Sequence, residues 1–275
     1  MQNQRKGYGV LTSVLFQKIL LIPCKSVVDS IFSCYNPMGL KYINLILYTS
    51  KGCIFMKKLK ELFKKYNHVW VLLYALIYMP CFTYLERHVT TDFYLIHSPL
   101  DDYIPFVEYF IVPYLLWFVY LAAGACFLFF KDKKGFLQAA RFAISGMTIF
   151  LIICTIFPNG LALRPTIFAH DNVFVDLVKI VYSTDTPTNV LPSMHVFLSV
   201  GMCMALNRTP ALKDKHGIRI AAGILSFIIV LSTMFLKQHS VTDVAAALVM
   251  DGILYQLVYA RQARQARKLM HEPVI

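Results

Sequence analysis

Six long apolar segments constrain this chain more than any other feature of its sequence. Each is apolar over a length that can cross the hydrocarbon core of a bilayer, which is about 30 Å thick. They cover approximately Trp70–Tyr84, Pro105–Phe130, Leu137–Phe157, Val190–Leu206, Gly217–Leu236 and Val241–Tyr259. A lipid-exposed segment must satisfy its own backbone hydrogen bonds, so these segments are expected to be helices. The sequence therefore predicts an all-α fold, a polytopic membrane bundle of six helices.

The composition supports a membrane protein. Of the 275 residues, 57% are hydrophobic and only 15% are charged, whereas soluble domains carry about 25% charged residues. The formal net charge of +12 is typical of nucleic-acid-binding proteins, but Lys and Arg also collect in the cytoplasmic loops of membrane proteins. We therefore expect the bilayer to be the partner of this chain and expect no nucleic acid.

The seven cysteines do not follow the spacing of a metal site or of a disulfide framework. Cys81, Cys126, Cys154 and Cys203 lie inside apolar runs, where a free Cys behaves as a small hydrophobic residue. The sequence predicts neither a zinc site nor a disulfide-stabilised fold.

Basic residues are concentrated in every second loop, as the positive-inside rule requires. The basic groups are Lys57 to Lys65, Lys131 to Arg141, Arg208 to Arg219 and Arg261 to Lys268. The loops between them hold fewer basic residues and more acidic ones. This alternation predicts a multi-pass protein of the cell membrane with both ends of its core in the cytoplasm. The loops that hold Arg164, His195 and His239 should then face outward.

The chain divides by pattern into three parts. Residues 1–55 are apolar only in patches, and charged residues interrupt each patch before it reaches spanning length. We expect a poorly ordered N-terminal extension there, with Met56 as a plausible start of the native chain; an interfacial amphipathic helix is the alternative. Residues 56–260 form the predicted six-span domain, and 261–275 form a basic cytoplasmic tail.

Pro192-Ser193-Met194-His195 opens the fourth apolar segment. Proline suits the first positions of a helix, whose first amides have no intrahelical partner and attract phosphate. Ser193 can add a hydroxyl donor, and His195 can protonate a leaving oxygen. In the alternative interpretation, Ser193 only caps the helix and His195 is an interfacial residue.

His239 and Asp243 begin the last apolar segment, four residues apart and so on one face of a helix. A carboxylate in that position holds the imidazole in the tautomer whose other nitrogen can act as a nucleophile. Ser240 and Asp243 also approximate a helix capping box, which is a purely structural alternative.

Two cations accompany these motifs in the outward loops. Arg164, in Arg164-Pro165, presents a planar group of donors that matches phosphate oxygens, although a single Arg at a membrane surface often only anchors a segment. Lys237 lies two residues before His239. The sequence therefore predicts that these residues, all of types that bind phosphate, lie on one side of the membrane.

These elements resemble the type 2 phosphatidic acid phosphatase family, which shares its core with the vanadium haloperoxidases. The matched positions are Arg164-Pro165, Pro192-Ser193-Met194-His195, Ser232, His239 and Asp243. The resemblance covers roughly Asp102 to Tyr259. It implies a six-helix membrane core, a metal-independent reaction without a cofactor and a phosphohistidine intermediate.

Carried over by position, the resemblance implies a role for each matched residue. His239 would be the nucleophile, Asp243 its orienting partner and His195 the general acid. Arg164, Ser193 and the amide of Met194 would bind phosphate.

Two cations of the family signatures are absent, because Phe157 stands where Lys is expected and Thr233 where Arg is expected. We hypothesise that Lys237 substitutes for one of them. The absence of some basic signature residues is similar to the branch that includes inositol phosphorylceramide synthases, which transfer a phosphoalcohol between lipids. The Asp101–Phe106 and Asp185–Asn189 loops resemble that branch at low specificity.

The resemblance predicts a membrane lipid phosphatase acting on a phospholipid or polyprenyl phosphate, with a lipid phosphotransferase as the alternative. A metal-dependent hydrolase using the two histidines is a further alternative, although the spacing matches no short metal motif. A non-catalytic protein or transporter ranks below these. Its acidic candidates inside the spans are Glu108, near the outer edge, and Asp251, which we expect to be buried and partnered.

Overall fold

The structure, a computed structural model, describes residues 54, 56–58, 60–61 and 64–260. The predicted basic tail over 261–275 lies outside the described residues, and so does the predicted extension over 1–55 apart from Ile54. The chain divides into two compact units, 1–67 and 68–275. In the first unit, most of the described residues are helical. The second unit contains all the elements that form the candidate site.

Seven α-helices of at least 12 residues follow one another in the described chain. They are α1 (Ala75–His88), α2 (Ile111–Lys131), α3 (Lys133–Ile156), α4 (Val173–Thr184), α5 (Met194–Arg208), α6 (His216–Phe235) and α7 (Val241–Tyr255). Short 3-10 helices cover Asn67–Tyr74, Pro99–Tyr103, Glu108–Phe110 and Pro210–Leu212, and a π-turn covers Gln256–Ala260. The strands β1 (Tyr94–Leu95) and β2 (Asn159–Gly160) form one small parallel pair.

Five helical segments of the described chain are long and apolar enough to cross a membrane. They are Asn67–His88, Glu108–Lys131, Lys133–Ile156, His216–Phe235 and Val241–Tyr259. The prediction of a mostly helical, multi-pass membrane protein is therefore confirmed. The fourth predicted span differs, because its helix α5 has only 15 residues and a length of roughly 22 Å. Residues 185–193 are not helical, and the helix ends at Arg208, two residues before Pro210.

The short helix α5 packs against four others: α2, α3, α6 and α7. Small residues allow its close approach to α3. Gly146 of α3 faces the ring of Phe197, and Gly201 of α5 faces the ring of Phe142. The two rings stack with centroids 4.8 Å apart, and both are buried. This packing positions the N-terminus of α5, where the Pro-Ser-Met-His motif lies.

Asn159 connects the loop after α3 to the segment that leads into α5. Its side-chain oxygen accepts hydrogen bonds from the amides of Val190 (2.9 Å) and Leu191 (2.8 Å), and its own carbonyl accepts from Asn189. The side chain of Asn159 is fully buried. Because a buried amide group is costly to leave unpaired, this residue fixes the path of the chain directly before Pro192.

Helix α4 is amphipathic and lies between the third and fourth predicted spans. Asn172 caps its first turn by accepting from the amide of Val175. Val175 and Val178 are buried, while Val173 and Ile180 are exposed. The helix delivers Tyr182 and Asp185 to the same end of the bundle as the N-termini of α5 and α7.

Candidate functional site

The turn between α6 and α7 presents His239. After α6 ends, Lys237 adopts a left-handed conformation with φ of 53°. The amides of Gln238 and His239 both donate to the carbonyl of Thr233, at 2.9 and 3.1 Å. This turn leaves His239 8% exposed at the start of the next helix.

His239 and Asp243 form the pair that the sequence predicts. The Nδ1 atom of His239 lies 3.4 Å from Oδ2 of Asp243, and the carboxylate is fully buried. The ring has no other hydrogen-bond partner among the described residues. If Nδ1 holds the proton shared with the carboxylate, the Nε2 lone pair is free to attack an electrophile.

The capping-box interpretation of the same residues also holds. The amide of Ser240 donates to Oδ2 of Asp243 at 2.9 Å, and Oγ of Ser240 accepts from the amide of Thr242. One carboxylate therefore caps α7 and contacts the imidazole. The structural and the functional alternatives are compatible because they use the same oxygen.

Ser193 is the N-cap of α5, and its hydroxyl accepts from the amide of Val196 at 3.4 Å. Its side chain is fully buried, so the capping role expected as an alternative is present. The amide of Ser193 donates to the carbonyl of Asp243 at 3.2 Å. This bond joins the two motifs directly, although 50 residues separate Ser193 from Asp243 in the sequence.

His195 projects from the first turn of α5 into an aromatic environment. Its ring centroid lies 4.4 Å from that of Trp117 and 4.8 Å from that of Tyr114, both on α2. The two histidine rings are 5.7 Å apart between centroids. Neither ring nitrogen of His195 has a hydrogen-bond partner in the described part of the chain. The two imidazole rings are therefore neighbours at this end of the bundle.

The N-terminus of α5 provides unpaired amides at this point. Met194 is the first residue of the helix, and its amide has no intrahelical acceptor. The dipole of the helix adds positive potential there. The amide of Met194 can therefore bind an anion next to His195, as the sequence predicts.

Arg164 lies beside the site, but its guanidinium is already bound by protein acceptors. Nη1 donates to the carbonyls of Tyr182 (3.2 Å) and Asp185 (2.8 Å). Nη2 donates to the carbonyl of Thr186 (3.2 Å) and to Oε1 of Gln238 (2.6 Å). Burial lowers the pKa of Arg164 from its ordinary value, although an arginine remains charged at physiological pH. The residue contributes positive potential and fixes the loops around His239.

Lys237 also has a protein partner, since its Nζ donates to the carbonyl of Asp101 at 2.7 Å. An ammonium group has three donors, so this contact leaves others for an anion.

Two positions that hold cations in the family that the motifs resemble hold uncharged residues in this chain. Phe157 stacks on Tyr94 with centroids 4.5 Å apart, and the buried hydroxyl of Thr233 donates to the carbonyl of Val230.

Asp101 was not predicted to have a role at the site, yet it braces the loop that presents His239. Its carboxylate accepts from Oγ of Ser240 (2.6 Å), from the amide of Val241 (2.8 Å) and from the amide of Ser98 (2.8 Å). The residue is 2% exposed. A sequence signal existed in the Ser98-Pro99 start of a capped turn, but nothing local indicated its partners 139 and 140 residues away.

Gln238 and Asp185 are two further residues of the site that sequence reasoning missed. The Nε2 donor of Gln238 is buried and has no partner among the described residues. Tyr114 donates to the carboxylate of Asp185 over a long 3.4 Å contact. Burial raises the pKa of Asp185, although the nearby charges of His239 and Arg164 act in the opposite direction.

The two acidic residues named as candidates for a transport path have different environments. Glu108 is buried and bonded to His170 (2.8 Å) and Asn172 (3.1 Å). Asp251 is buried as expected, but it has no hydrogen-bond partner among the described residues, contrary to our expectation. Across the described ranges, no three His, Cys, Asp or Glu side chains form a group that could hold a metal ion.

Comparison with protein-family models, with curated proteins and with solved structures found no match to this chain. The candidate site is therefore defined by the geometry around His239 and His195. That geometry collects a histidine–carboxylate pair, a second histidine and the start of a helix at one end of the bundle.

Proposed function

We propose that this chain is an integral-membrane lipid phosphoesterase that works through a phosphohistidine on His239. The observation that supports this function best is the pairing of His239 with Asp243. The ring of His195, in the first turn of α5, lies 5.7 Å from the ring of His239 between centroids. The resemblance of the short motifs to type 2 phosphatidic acid phosphatases supports the same chemistry. No metal or cofactor takes part in the proposed steps.

In the first step, the Nε2 lone pair of His239 forms a bond to phosphorus as the bond from phosphorus to the lipid oxygen breaks. Asp243 stabilises the positive charge that develops on the imidazole. His195, in its protonated form, gives a proton to the departing lipid alcohol. The products are a neutral alcohol and a phosphohistidine.

In the second step, an acceptor hydroxyl attacks phosphorus and the bond to His239 breaks. The now neutral His195 takes the proton of the acceptor. Water as the acceptor completes a hydrolysis, while a lipid or polyol alcohol completes a transfer. Both outcomes use the same first step, and the assay below detects both.

Binding of the phosphate oxygens is assigned to fixed donors, which is the dominant requirement in phosphoryl transfer. We assign this role to the amide of Met194 at the start of α5, to the unpartnered Nε2 of Gln238 and to the remaining donors of Lys237. Arg164 adds charge from one side, and Ser193 holds the helix start in place.

The positive-inside pattern of the loops supports a site at the outer membrane face, with both ends of the core in the cytoplasm. The six predicted spans then consist of the five long helices and the shorter, central α5. A phosphate at headgroup depth is the corresponding substrate, in a phospholipid or a polyprenyl phosphate.

The test uses the purified protein in detergent with a panel of lipid phosphates, with and without inositol or glycerol as acceptor. Free phosphate and new lipid are measured together. We expect His239→Ala and His195→Ala each to lower the rate at least about 100-fold. Vanadate should inhibit the wild-type protein, and chelators should not.

His216→Ala is the matched control, because His216 is exposed at the opposite end of α6. It should retain wild-type activity. Full activity in either His239→Ala or His195→Ala would exclude the proposed mechanism.

A further inference from the structure

Asp185 places a carboxylate beside Tyr114, a residue that contacts His195. Tyr114 donates to Oδ2 of Asp185, and the same tyrosine ring lies against His195. On the other side, Arg164 bonds both to the carbonyl of Asp185 and to Gln238, the residue before His239. Asp185 is therefore linked to His195 through Tyr114, and to the residue before His239 through Arg164.

Carboxylates outnumber cations around the two histidines. The cations placed beside them are Arg164 and Lys237, each already bonded to protein carbonyls. The carboxylates are Asp185, Asp243, Asp101 and Glu86. Asp101 accepts from Ser240, and Glu86 is held by Thr186 and Asn189 next to Asp185. The uncharged Phe157 and Thr233 occupy the positions where the resembling family has two more cations.

Because like charges repel, this excess of carboxylates weakens the binding of a phosphate for each additional negative charge that it carries. A phosphomonoester has a second pKa near 6 and is mostly a dianion above neutral pH. A phosphodiester carries a single charge at the same pH. The two classes of ester therefore differ by one charge above neutral pH.

We propose that Asp185 is a specificity-determining residue that makes the site select singly charged phosphodiesters over doubly charged phosphomonoesters. This inference rests on the proposed function and specifies its substrate as a lipid phosphodiester. The phosphoryl group on His239 then retains its headgroup ester, and the lipid alcohol leaves with the proton from His195. Asp185 takes no part in bond making. It determines whether the site binds the singly charged or the doubly charged phosphate ester more tightly.

The first experiment measures binding without requiring turnover. Purified wild-type protein is titrated calorimetrically at about pH 8, where inorganic phosphate is a dianion and dimethyl phosphate is a monoanion. We expect dimethyl phosphate to bind at least about tenfold more tightly. In Asp185→Asn, inorganic phosphate should bind at least about tenfold more tightly than to the wild type, while dimethyl phosphate changes less than about threefold.

Asp176→Asn is the matched control, because Asp176 is an exposed carboxylate of α4 that pairs only with Lys179 among the described residues. It should keep the wild-type ratio of affinities. Asp185→Ser provides a second variant if the asparagine protein does not fold. A ratio that stays within about twofold of wild type in the Asp185 variants, or equal binding of the two anions by the wild type, would overturn the inference.

The second experiment separates this inference from the proposed function. Release of diacylglycerol is measured from detergent micelles that contain either phosphatidic acid or phosphatidylglycerol as the only phosphate ester, with His239→Ala as the blank. Release that depends on His239 but is faster from phosphatidic acid would reject the role of Asp185 and leave the phosphoesterase in place. Release that does not depend on His239 would reject the phosphoesterase, and the anion titration would still decide the selectivity.

Discussion

Asp243 combines two tasks within a single turn of helix. Its Oδ2 accepts the amide of Ser240 and also lies 3.4 Å from Nδ1 of His239, while its Oδ1 has no partner among the described residues. Local sequence predicted both tasks because both depend on residues within four positions. The tautomer of His239, and with it the nucleophilic nitrogen, depends on the second task.

Replacement of Asp243 separates the two tasks. Asp243→Asn retains an oxygen that can accept from Ser240, but it removes the charge that stabilises the imidazolium. We expect the lipid phosphoesterase rate to fall at least about 100-fold while the thermal midpoint changes little. Asp243→Ala should lose the same activity and also about 1 kcal/mol of stability through the missing cap. An asparagine variant with wild-type rate would show that the carboxylate serves only as a cap.

At the scale of elements, distant side chains hold the helix termini that form the site. Asp101 lies in a turn that precedes α2 and accepts two hydrogen bonds from the start of α7, while a third, from Ser98, fixes its own turn. Asp102, directly beside it, is exposed and bonds only to the exposed His97 among the described residues. Of these two adjacent aspartates, only Asp101 is buried and holds a distant helix in place.

This contrast gives a paired prediction. Asp101→Ala leaves buried donors on Ser240 and Val241 unpaired, and each such group costs about 1–3 kcal/mol. We expect a loss of roughly 3 kcal/mol in the free energy of unfolding. Asp102→Ala should cost less than about 1 kcal/mol, as expected for a surface ion pair. Denaturant unfolding of both proteins in the same detergent tests this, and equal losses would contradict the bracing role of Asp101.

Close packing between α3 and α5 is the second feature at this scale. A Cβ added to Gly146 would lie 2.1 Å from the ring of Phe197, a buried side chain that stacks on Phe142. A Cβ added to Gly252 of α7 meets no atom within 4 Å. The first glycine is required by its neighbours, whereas the second is not.

We therefore expect Gly146→Ala to destabilise the protein by about 1–3 kcal/mol, because the Phe197 ring has to move within a packed interface. Gly252→Ala should be neutral or stabilising by up to about 1 kcal/mol, since alanine favours the helix. Thermal midpoints of the two variants provide the measurement. A neutral Gly146→Ala would show that α5 can shift away from α3.

At the scale of the whole molecule, the segments at one end of the bundle meet through long-range polar contacts. The carbonyl of Asp243 accepts from Ser193, Asn159 holds the path into α5, and Glu86 at the end of α1 holds Thr186. The motif loops therefore lie on one side of a set of five long apolar helices. The charge pattern of the loops predicts that this side faces outward.

Single cysteines test that orientation in intact cells with a membrane-impermeant maleimide. Ile167→Cys, at a position 86% exposed, should be labelled from outside. Lys134→Cys, in the first turn of α3 and also exposed, should be labelled only after permeabilisation. The parent chain measures labelling of the native cysteines, and the reverse pattern would invert the proposed topology.

The sequence by itself determined the membrane class, the positions of the long helices and the pairing of His239 with Asp243. These features depend on hydropathy over a span, on loop charge or on residues within one helical turn. Only the tertiary structure decided that α5 is short and central, that Arg164 and Lys237 bond to backbone carbonyls, and that Asp101, Gln238 and Asp185 belong to the site. Those contacts join loops that are tens to more than a hundred residues apart, and no local pattern encodes which distant acceptor a side chain will meet.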